Sequence, residues 1–582
     1  MKRFPSHLKA VTLAVCSALL LVTGAVHAGP RGQLDPGRVE LPNPDGSRTP
    51  TLQMPGTLQL PDAIVTPDVG PEPAEMQATP GDTRRFNVSR VVIRGADSYP
   101  SGTFDPLARS LQGRQVSLAE VNAVAAQITQ RYRKAGFLLA RAYVPQQRLE
   151  GGQLLIQVFE GKVNEVRFKG PGNKALERYA DNIRQEVPPK SATLERNLLL
   201  MNDVSGNDSR AVLSASPVAN GTDLTVQNEQ RKYEGFIGFD NRDSRYFGPW
   251  QAYGGFGIND LSGNGDHLGI RAGKSIEGNK MTFFEGQYEL PVGAQGDVLS
   301  VLAQHNEGHA DTFSFLNANS SGDTLAVRIT RPWIRQRDET LKTSLALTYF
   351  NGKSEYLDDP DNPPSSDDRI RALRLGASYD FADNYGGKNL LKAELSKGLD
   401  ILGASNEGRA NPSREGGRTD FTKLQVDAQR MQDLTHLMEG LNLYLAMTAQ
   451  TSFGQALLSP EQFGVGGSEF GRGYDPSEIT GDRGFATKAE LQYNRLHTLA
   501  NWTVPTQYYG YWDFGKVWSE DPSWTSTESL SSAGVGVHFQ VFKDTYISPE
   551  LAFPLTHKVS AEELDDDNGK APRLYINFLK LF

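Results

Sequence analysis

From Tyr233 to Phe582 the chain repeats one pattern, segments of roughly ten residues in which apolar and polar side chains strictly alternate. Leu325, Val327 and Ile329 alternate with Thr324, Ala326, Arg328 and Thr330. Ala489, Leu491 and Tyr493 alternate with Lys488, Glu490 and Gln492, and Val535, Val537, Phe539 and Val541 with Gly534, Gly536, His538 and Gln540. A period of two sends successive side chains to opposite faces of a strand, so each segment has one face suited to lipid and one suited to water. After residue 28 no stretch approaches the roughly 20 apolar residues that a membrane-crossing helix requires. Any membrane insertion is therefore as a closed barrel, the one other structure that satisfies every backbone group within lipid.

The alternation counts out sixteen strands, starting near Tyr233, Gln251, His267, Lys280, Val298, Thr324, Leu341, Ile370, Asn389, Thr419, Asn442, Phe485, Thr506, Ser532, Thr545 and Arg573. Their connections alternate in length, as in barrels with short periplasmic turns and long outer loops. Leu261 to Asp266, Gly293 to Asp297, Arg335 to Thr340, Asp383 to Lys388 and Lys543 to Asp544 are short. Asn306 to Asp323, Tyr356 to Arg369, Leu399 to Arg418, Phe453 to Gly484, Ser519 to Leu530 and His557 to Ala571 are long, and Ile276 to Asn279 is the exception. An even strand number leaves both barrel ends facing the periplasm. In the last strand Leu574, Ile576, Phe578 and Phe582 share a face, and Lys580 interrupts it where its stem can carry the ammonium to the interface. An ending on an aromatic residue resembles the terminal assembly signature of bacterial outer-membrane barrels, which assigns that role to Phe582.

The N-terminus reads as an address. Lys2 and Arg3 precede an apolar run from Leu8 to Val22 and small residues ending at Ala28, so residues 1–28 are expected to be a cleaved secretory signal. The lone cysteine, Cys16, lies inside it, which removes disulfides, thiol catalysis and cysteine zinc sites from the mature chain. Residues 29–85 carry eleven prolines up to Thr83 with almost no helical periodicity, an extended linker or a segment threaded through a pore. From Phe86 to about Gln227 the pattern becomes mixed α and β in two units, 86–162 and 163–228, ahead of the barrel at 229–582. In the first, Val88 to Arg94 reads as a strand and Phe104 to Leu111 as a short helix. Ser117 to Glu120 is a capping box opening a helix with Val121, Val124, Ala125, Ile128 and Tyr132 on one face and Gly136 closing it. Strands Leu138 to Val144 and Gln153 to Phe159 follow. The second unit begins at Val163, with a helix from Leu194 to Met201 and a final strand Asp223 to Gln227.

No enzyme motif survives inspection, and no metal or cofactor is called for. Gly269 to Ser275 has three residues between its glycines where a phosphate loop has four, and Asp513-Phe514-Gly515 lies in a strand without a kinase catalytic loop. A net charge of −9 argues against nucleic acid as a partner. The informative segment is the longest barrel connection, 453–484, which contains Phe463-Gly464-Val465-Gly466-Gly467-Ser468-Glu469-Phe470-Gly471-Arg472-Gly473-Tyr474. As a surface loop it would leave Arg472 to water; folded into the lumen, the guanidinium needs a carboxylate. Asp513 is the candidate. In Tyr511-Trp512-Asp513-Phe514-Gly515 the residues Tyr511, Asp513 and Gly515 share the lumen face and the two larger aromatics face lipid, while Gly515 leaves room for a loop to approach.

Over roughly Phe86 to Phe582 these residues resemble the two-partner secretion transporters, the haemolysin and filamentous-haemagglutinin secretion and activation family of the superfamily of barrels with polypeptide-transport-associated (POTRA) domains. Gly471-Arg472-Gly473-Tyr474 is similar to the family's Val-Arg-Gly-Tyr lumen-loop motif, with Gly471 in place of Val. Tyr511-x-Asp513-x-Gly515 is similar to its Phe-x-Asp-x-Gly strand motif, with Tyr511 in place of Phe. Tyr132 to Gln147, with Gly136, Phe137, Pro145 and Gln146, resembles the first POTRA domain, and Leu194-Glu195-Arg196 through Gly206 the second. The resemblance implies a membrane β-barrel of sixteen antiparallel strands behind two periplasmic POTRA domains, not an enzyme. It implies type V secretion of an unfolded partner exoprotein across the outer membrane, without nucleotide, with Arg472 and Asp513 locking the loop and Tyr132, Gly136, Phe137, Pro145, Gln146 and Arg196 in the substrate-binding region. The further partners it implies are outer-membrane lipid and, during biogenesis, the barrel-assembly machinery. The alternative is an outer-membrane protein assembly and insertion factor, which would share the POTRA domains and the loop.

Overall fold

The computed structural model describes residues 65–68 and 84–582, apart from 218–220, 246, 279, 311–317, 357–364, 406–410, 415, 500–501, 521–526 and 557–570. The expected signal and almost all of the proline-rich segment lie outside the described residues.

Sixteen antiparallel strands close into one barrel, the first, Tyr233–Asp240, pairing with the last, Arg573–Leu581, from Phe236 opposite Leu581 to Asp240 opposite Asn577. The predicted faces hold. Leu325, Val327 and Ile329 are 46%, 43% and 45% exposed on the outside while Ala326 between them is 4% exposed. Several strands run longer than the alternation marks. The sixth starts at Ala318 rather than Thr324 and the eighth at Ser365 rather than Ile370. Their extensions, Asn319 to Asp323 and Ser366 to Arg369, are polar because they pass beyond the lipid, where nothing selects an apolar face, while the ladder continues unbroken.

Two α/β units precede the barrel. In the first, Ser117 accepts from the Glu120 backbone and the Glu120 carboxylate accepts from the Ser117 N–H at 2.7 Å, so both halves of the capping box form. The helix Leu118–Lys134 buries Val121, Val124, Ala125, Ile128 and Tyr132, the face expected, and Gly136 turns the chain at φ +90°. Strand Gln153–Phe159 lies where predicted, and the short helix forms at Asp105–Arg109. Two expectations are corrected. The strand read as Val88 to Arg94 breaks at Ser89, whose hydroxyl donates to the Gly151 carbonyl at 2.7 Å, giving Arg85–Val88 and Arg90–Arg94. Leu138 to Val144 shortens to Arg141–Tyr143, and an unpredicted strand, Arg114–Ser117, pairs with Arg85–Val88.

The second unit sets helices Lys174–Gln185 and Ser191–Asp203 on a four-stranded sheet ordered Val65–Asp68, Asn207–Ala215, Thr222–Gln230, Val163–Lys169. Leu176, Tyr179, Ile183, Leu194, Leu200, Leu213 and Leu224 form its core. This unit is stapled to the barrel. Arg178 donates to the carbonyls of Gly293 and Pro291, each at 2.9 Å, and Asn182 to that of Ala294 at 2.7 Å. Asp203 takes a two-pronged contact from Arg335 at 2.8 and 2.7 Å. These short turns mark the barrel's α/β end, and the long connection 453–484 enters from the other end.

Candidate functional site

The long connection folds back into the lumen. Its stem is a two-stranded hairpin, Phe463–Val465 against Ile479–Gly481, and its tip carries Gly471, Arg472, Gly473 and Tyr474. Phe463, Val465, Tyr474 and Ile479 pack on Ala486, Val517 and Leu530 of the wall, a small apolar core built inside the barrel.

Arg472 meets Asp513. Its Nε and Nη2 donate to Asp513 Oδ2 and Oδ1 at 3.0 and 2.9 Å, and its backbone N–H donates to Oδ2 at 3.1 Å. The planar fork matches the two carboxylate oxygens, and the third bond fixes the backbone as well as the side chain. Asp513 is fully buried and Arg472 is 5% exposed. The tight turn that permits this has Gly471 at φ +78°, where a Cβ would also come within 2.6 Å of Leu530. A Cβ on Gly473 would lie 3.0 Å from Ser532 Cβ, so the tip backbone lies directly on the wall. The room at Gly515 is filled by Val465, whose Cγ1 would stand 2.4 Å from an added Cβ.

Tyr511 lies beneath the guanidinium, its ring centroid 3.3 Å from Arg472 Cζ, and donates its hydroxyl to Glu550 at 3.1 Å. Tyr474 is 1% exposed and exchanges hydrogen bonds with the backbone of Thr556, donating at 3.3 Å and accepting at 3.1 Å. Sequence reasoning missed two carboxylates. Glu490 accepts from Arg472 Nη1 at 2.6 Å, and Glu550 stands 4.0 Å from that nitrogen while accepting from Arg242 at 3.0 Å and Tyr509 at 2.7 Å. Both have the lumen parity of their strands; which distant strand they face was invisible until the barrel closed.

The residues expected in the POTRA binding region do not form one surface. Tyr132 is fully buried, stacked with Phe104 and edge-on to Tyr99 and Phe137, and donates to Glu160 at 2.6 Å. Burial, then the Glu160 carboxylate, push its phenol well above the usual range. It and Gly136 serve the domain core and helix end. Arg196 departs furthest from expectation: it donates to the carbonyls of Pro332 at 2.7 Å, Gln295 at 3.0 Å and Trp333 at 3.3 Å, tying the second unit to the barrel. Burial lowers the pKa of its guanidinium. Gln146 is exposed and Pro145 half-buried. Phe582 is 69% exposed, and its N–H donates to the Gly235 carbonyl at 2.8 Å. Among the described residues no group of three or more His, Cys, Asp or Glu side chains is arranged to hold a metal ion.

With the geometry in hand, comparison with known proteins gives concordant matches. The family model described as haemolysin secretion/activation protein ShlB/FhaC/HecB matches residues 220–539, and that of the ShlB-type POTRA domain matches residues 86–161. The heme/hemopexin transporter protein HuxB of Haemophilus influenzae (strain 86-028NP) is 22% identical over 86% of this chain and 87% of its own length. The outer membrane transporter CdiB of Dickeya dadantii (strain 3937) is 23% identical over 72% of this chain and 74% of its own. Among solved structures, CdiB from Escherichia coli superposes with a TM-score of 0.68 at 19% identity, covering 87% of this chain and 92% of that one. CdiB from Acinetobacter baumannii gives 0.60 at 14% identity, covering 99% and 97%.

Proposed function

The chain belongs to the haemolysin secretion/activation protein family, outer-membrane transporters that secrete partner proteins, with POTRA domains in the periplasm. From that premise we propose that it captures one unfolded exoprotein, haemolysin-like or adhesin-like, on its POTRA domains and passes it through the barrel without nucleotide. The relatives are transporters rather than enzymes.

The observation that carries the reading is the loop tip held in the lumen by the two-pronged Arg472 to Asp513 pair. A barrel that conducts a polypeptide needs an obstruction that closes it at rest and yields in use. A loop whose tip is clamped by a buried charge cluster is such an element, because a local event at that cluster lets the tip move. Capture is supported by the second unit's sheet, which takes the extended segment Val65–Asp68 in parallel along Asn207–Ala215. An unfolded chain would use backbone donors and acceptors of this kind, which are indifferent to sequence. Movement would then be biased by folding outside the cell.

The test is the amount of partner exoprotein in the medium of cells carrying Arg472→Ala or Asp513→Ala, with barrel level and heat-modifiability as controls. Secretion should fall in both. Normal secretion from both variants would leave the loop without a part in transport.

A further inference from the structure

The tip is not the loop's only charged attachment. Where the loop leaves the eleventh strand, Leu441–Thr451, a single turn at Ser459–Glu461 carries Glu461, 5% exposed, across to the wall. Glu461 Oε1 accepts from Arg374 Nη2 at 2.6 Å, and Oε2 lies 2.6 Å from Lys423 Nζ. The Glu461 carbonyl accepts from Lys423 Nζ and from Gln450, each at 3.1 Å. Arg374 belongs to the eighth strand, Ser365–Ala382, and Lys423 to the tenth, Thr422–Asp433. Arg374 is further held by Ser396 at 2.9 Å. Just before this turn, Leu457 and Leu458 pack on Ile370, Ala372 and Phe421 of the same wall. The tip cluster rests instead on the twelfth, thirteenth and fifteenth strands, through Glu490, Asp513 and Glu550.

The loop's base is thus docked on one arc of the barrel through Glu461 and through Asp482, which pairs with Arg414 and accepts from the Leu457 N–H at 2.7 Å. Its tip side is docked on another arc, where Asp475 also pairs with Arg573 and Arg245 and Glu478 with Arg245; the hairpin Phe463–Val465 and Ile479–Gly481 joins the two. We propose that Glu461 is a positioning residue for export: it pins the loop base to Arg374 and Lys423 independently of the tip, so the tip releases while the base stays as a fixed hinge. The proposal rests on the reading of the loop as the gate. Its chemistry is that of a buried carboxylate facing two buried cations. Removing the carboxylate's charge leaves both cations in a confined site, whereas removing Arg472 leaves the base pairing intact.

The test uses the full-length chain in whole cells and two single-cysteine reporters, since the one native cysteine, Cys16, lies in the segment read as a cleaved signal. Ala456→Cys reports the base, where Ala456 is 8% exposed, and Ser532→Cys reports the wall covered by Gly473, where Ser532 is fully buried. The measurement is the labelling rate with a membrane-impermeant maleimide, on variants that remain heat-modifiable. Glu461→Gln should speed labelling at residue 456 by about tenfold or more, a modest share of what unpairing buried charges costs, and leave residue 532 slow. Arg472→Ala should do the reverse. If Glu461→Gln leaves residue 456 slow, or if either substitution speeds both reporters, the loop has no separate base dock and the proposal is overturned. If instead Arg472→Ala leaves residue 532 slow, the tip lock of the proposed function fails, and Glu461 is still judged at residue 456.

Discussion

Arg472 is held in four ways at once: by a fork onto Asp513, by its own backbone on the same carboxylate, by Nη1 on Glu490, and by the Tyr511 ring beneath it. The arrangement is specific to a guanidinium, since an ammonium keeps the charge but has no planar pair of donors to match two oxygens. Arg472→Lys should therefore lose most of the secretion lost by Arg472→Ala, measured as partner in the medium; full rescue by Lys would reduce the site to a simple charge. In a fully desolvated site, deleting one partner would cost about 3 to 5 kcal/mol, and less as the lumen is wetter. Gly515 gives a steric test of the loop's seat on the same strand, through Val465 of the hairpin stem. Gly515→Ala places a methyl 2.4 Å from Val465 Cγ1 and should weaken secretion, and adding Val465→Ala should restore it. Failure of that rescue would show that Gly515 serves the strand rather than the loop. The Arg472 to Asp513 pair was legible because parity and a glycine-flanked arginine both leave traces in sequence. Glu490 and Glu550 were legible only as lumen-facing, because their partnership depends on which strands the closed barrel brings around the loop.

Elements separate into those with a periodic signal and those without. The helix Leu118–Lys134 was readable from its capping box and apolar face, whereas Lys174–Gln185 was not, although Leu176, Tyr179 and Ile183 recur at helical spacing. Its remaining buried positions are Ala175 and Ala180, and its cap is a lone Asn173, so the stripe is thin against a polar background. The strand Asn207–Ala215 was missed because Asn207-Asp208-Ser209-Arg210 opens it without an apolar residue. The capping box also carries a pH signature. The Ser117 backbone N–H and the Arg114 guanidinium hold the Glu120 carboxyl at about 2, below its ordinary 4.5. A depressed folded pKa contributes stability that is fully present above the unfolded value and is lost as pH falls from the ordinary value through the folded one. Amide exchange in the first turn, Leu118 to Val121, should therefore rise relative to the helix centre as pH falls from about 5 toward 2, after correction for intrinsic rates. Glu120→Gln should flatten that dependence; an unchanged slope would mean the box does not hold the helix start.

Across the molecule, the second POTRA domain docks beneath the turns at Gly263, Gly293 and Arg335, and the lumen loop enters from the opposite end. Barrel and order of domains were visible from the alternation and the connection lengths. The docking was not, because Arg178 and Arg196 donate to backbone carbonyls, which no residue pattern reveals. Capture and conduction on separate parts predict that deleting residues 86–227 abolishes partner secretion while a heat-modifiable barrel remains in the membrane. Photo-cross-linking to a partner stalled in transit asks whether the polypeptide crosses within the lumen. A photoreactive residue is placed at Gln304 or Asn306, which face the lumen and are 7% and 4% exposed, or at Val327 or Leu345, which face lipid and are 43% and 45% exposed. Passage through the lumen should give adducts with the partner from Gln304 and Asn306 and none from Val327 and Leu345; adducts from the lipid face with none from the lumen would rule that route out.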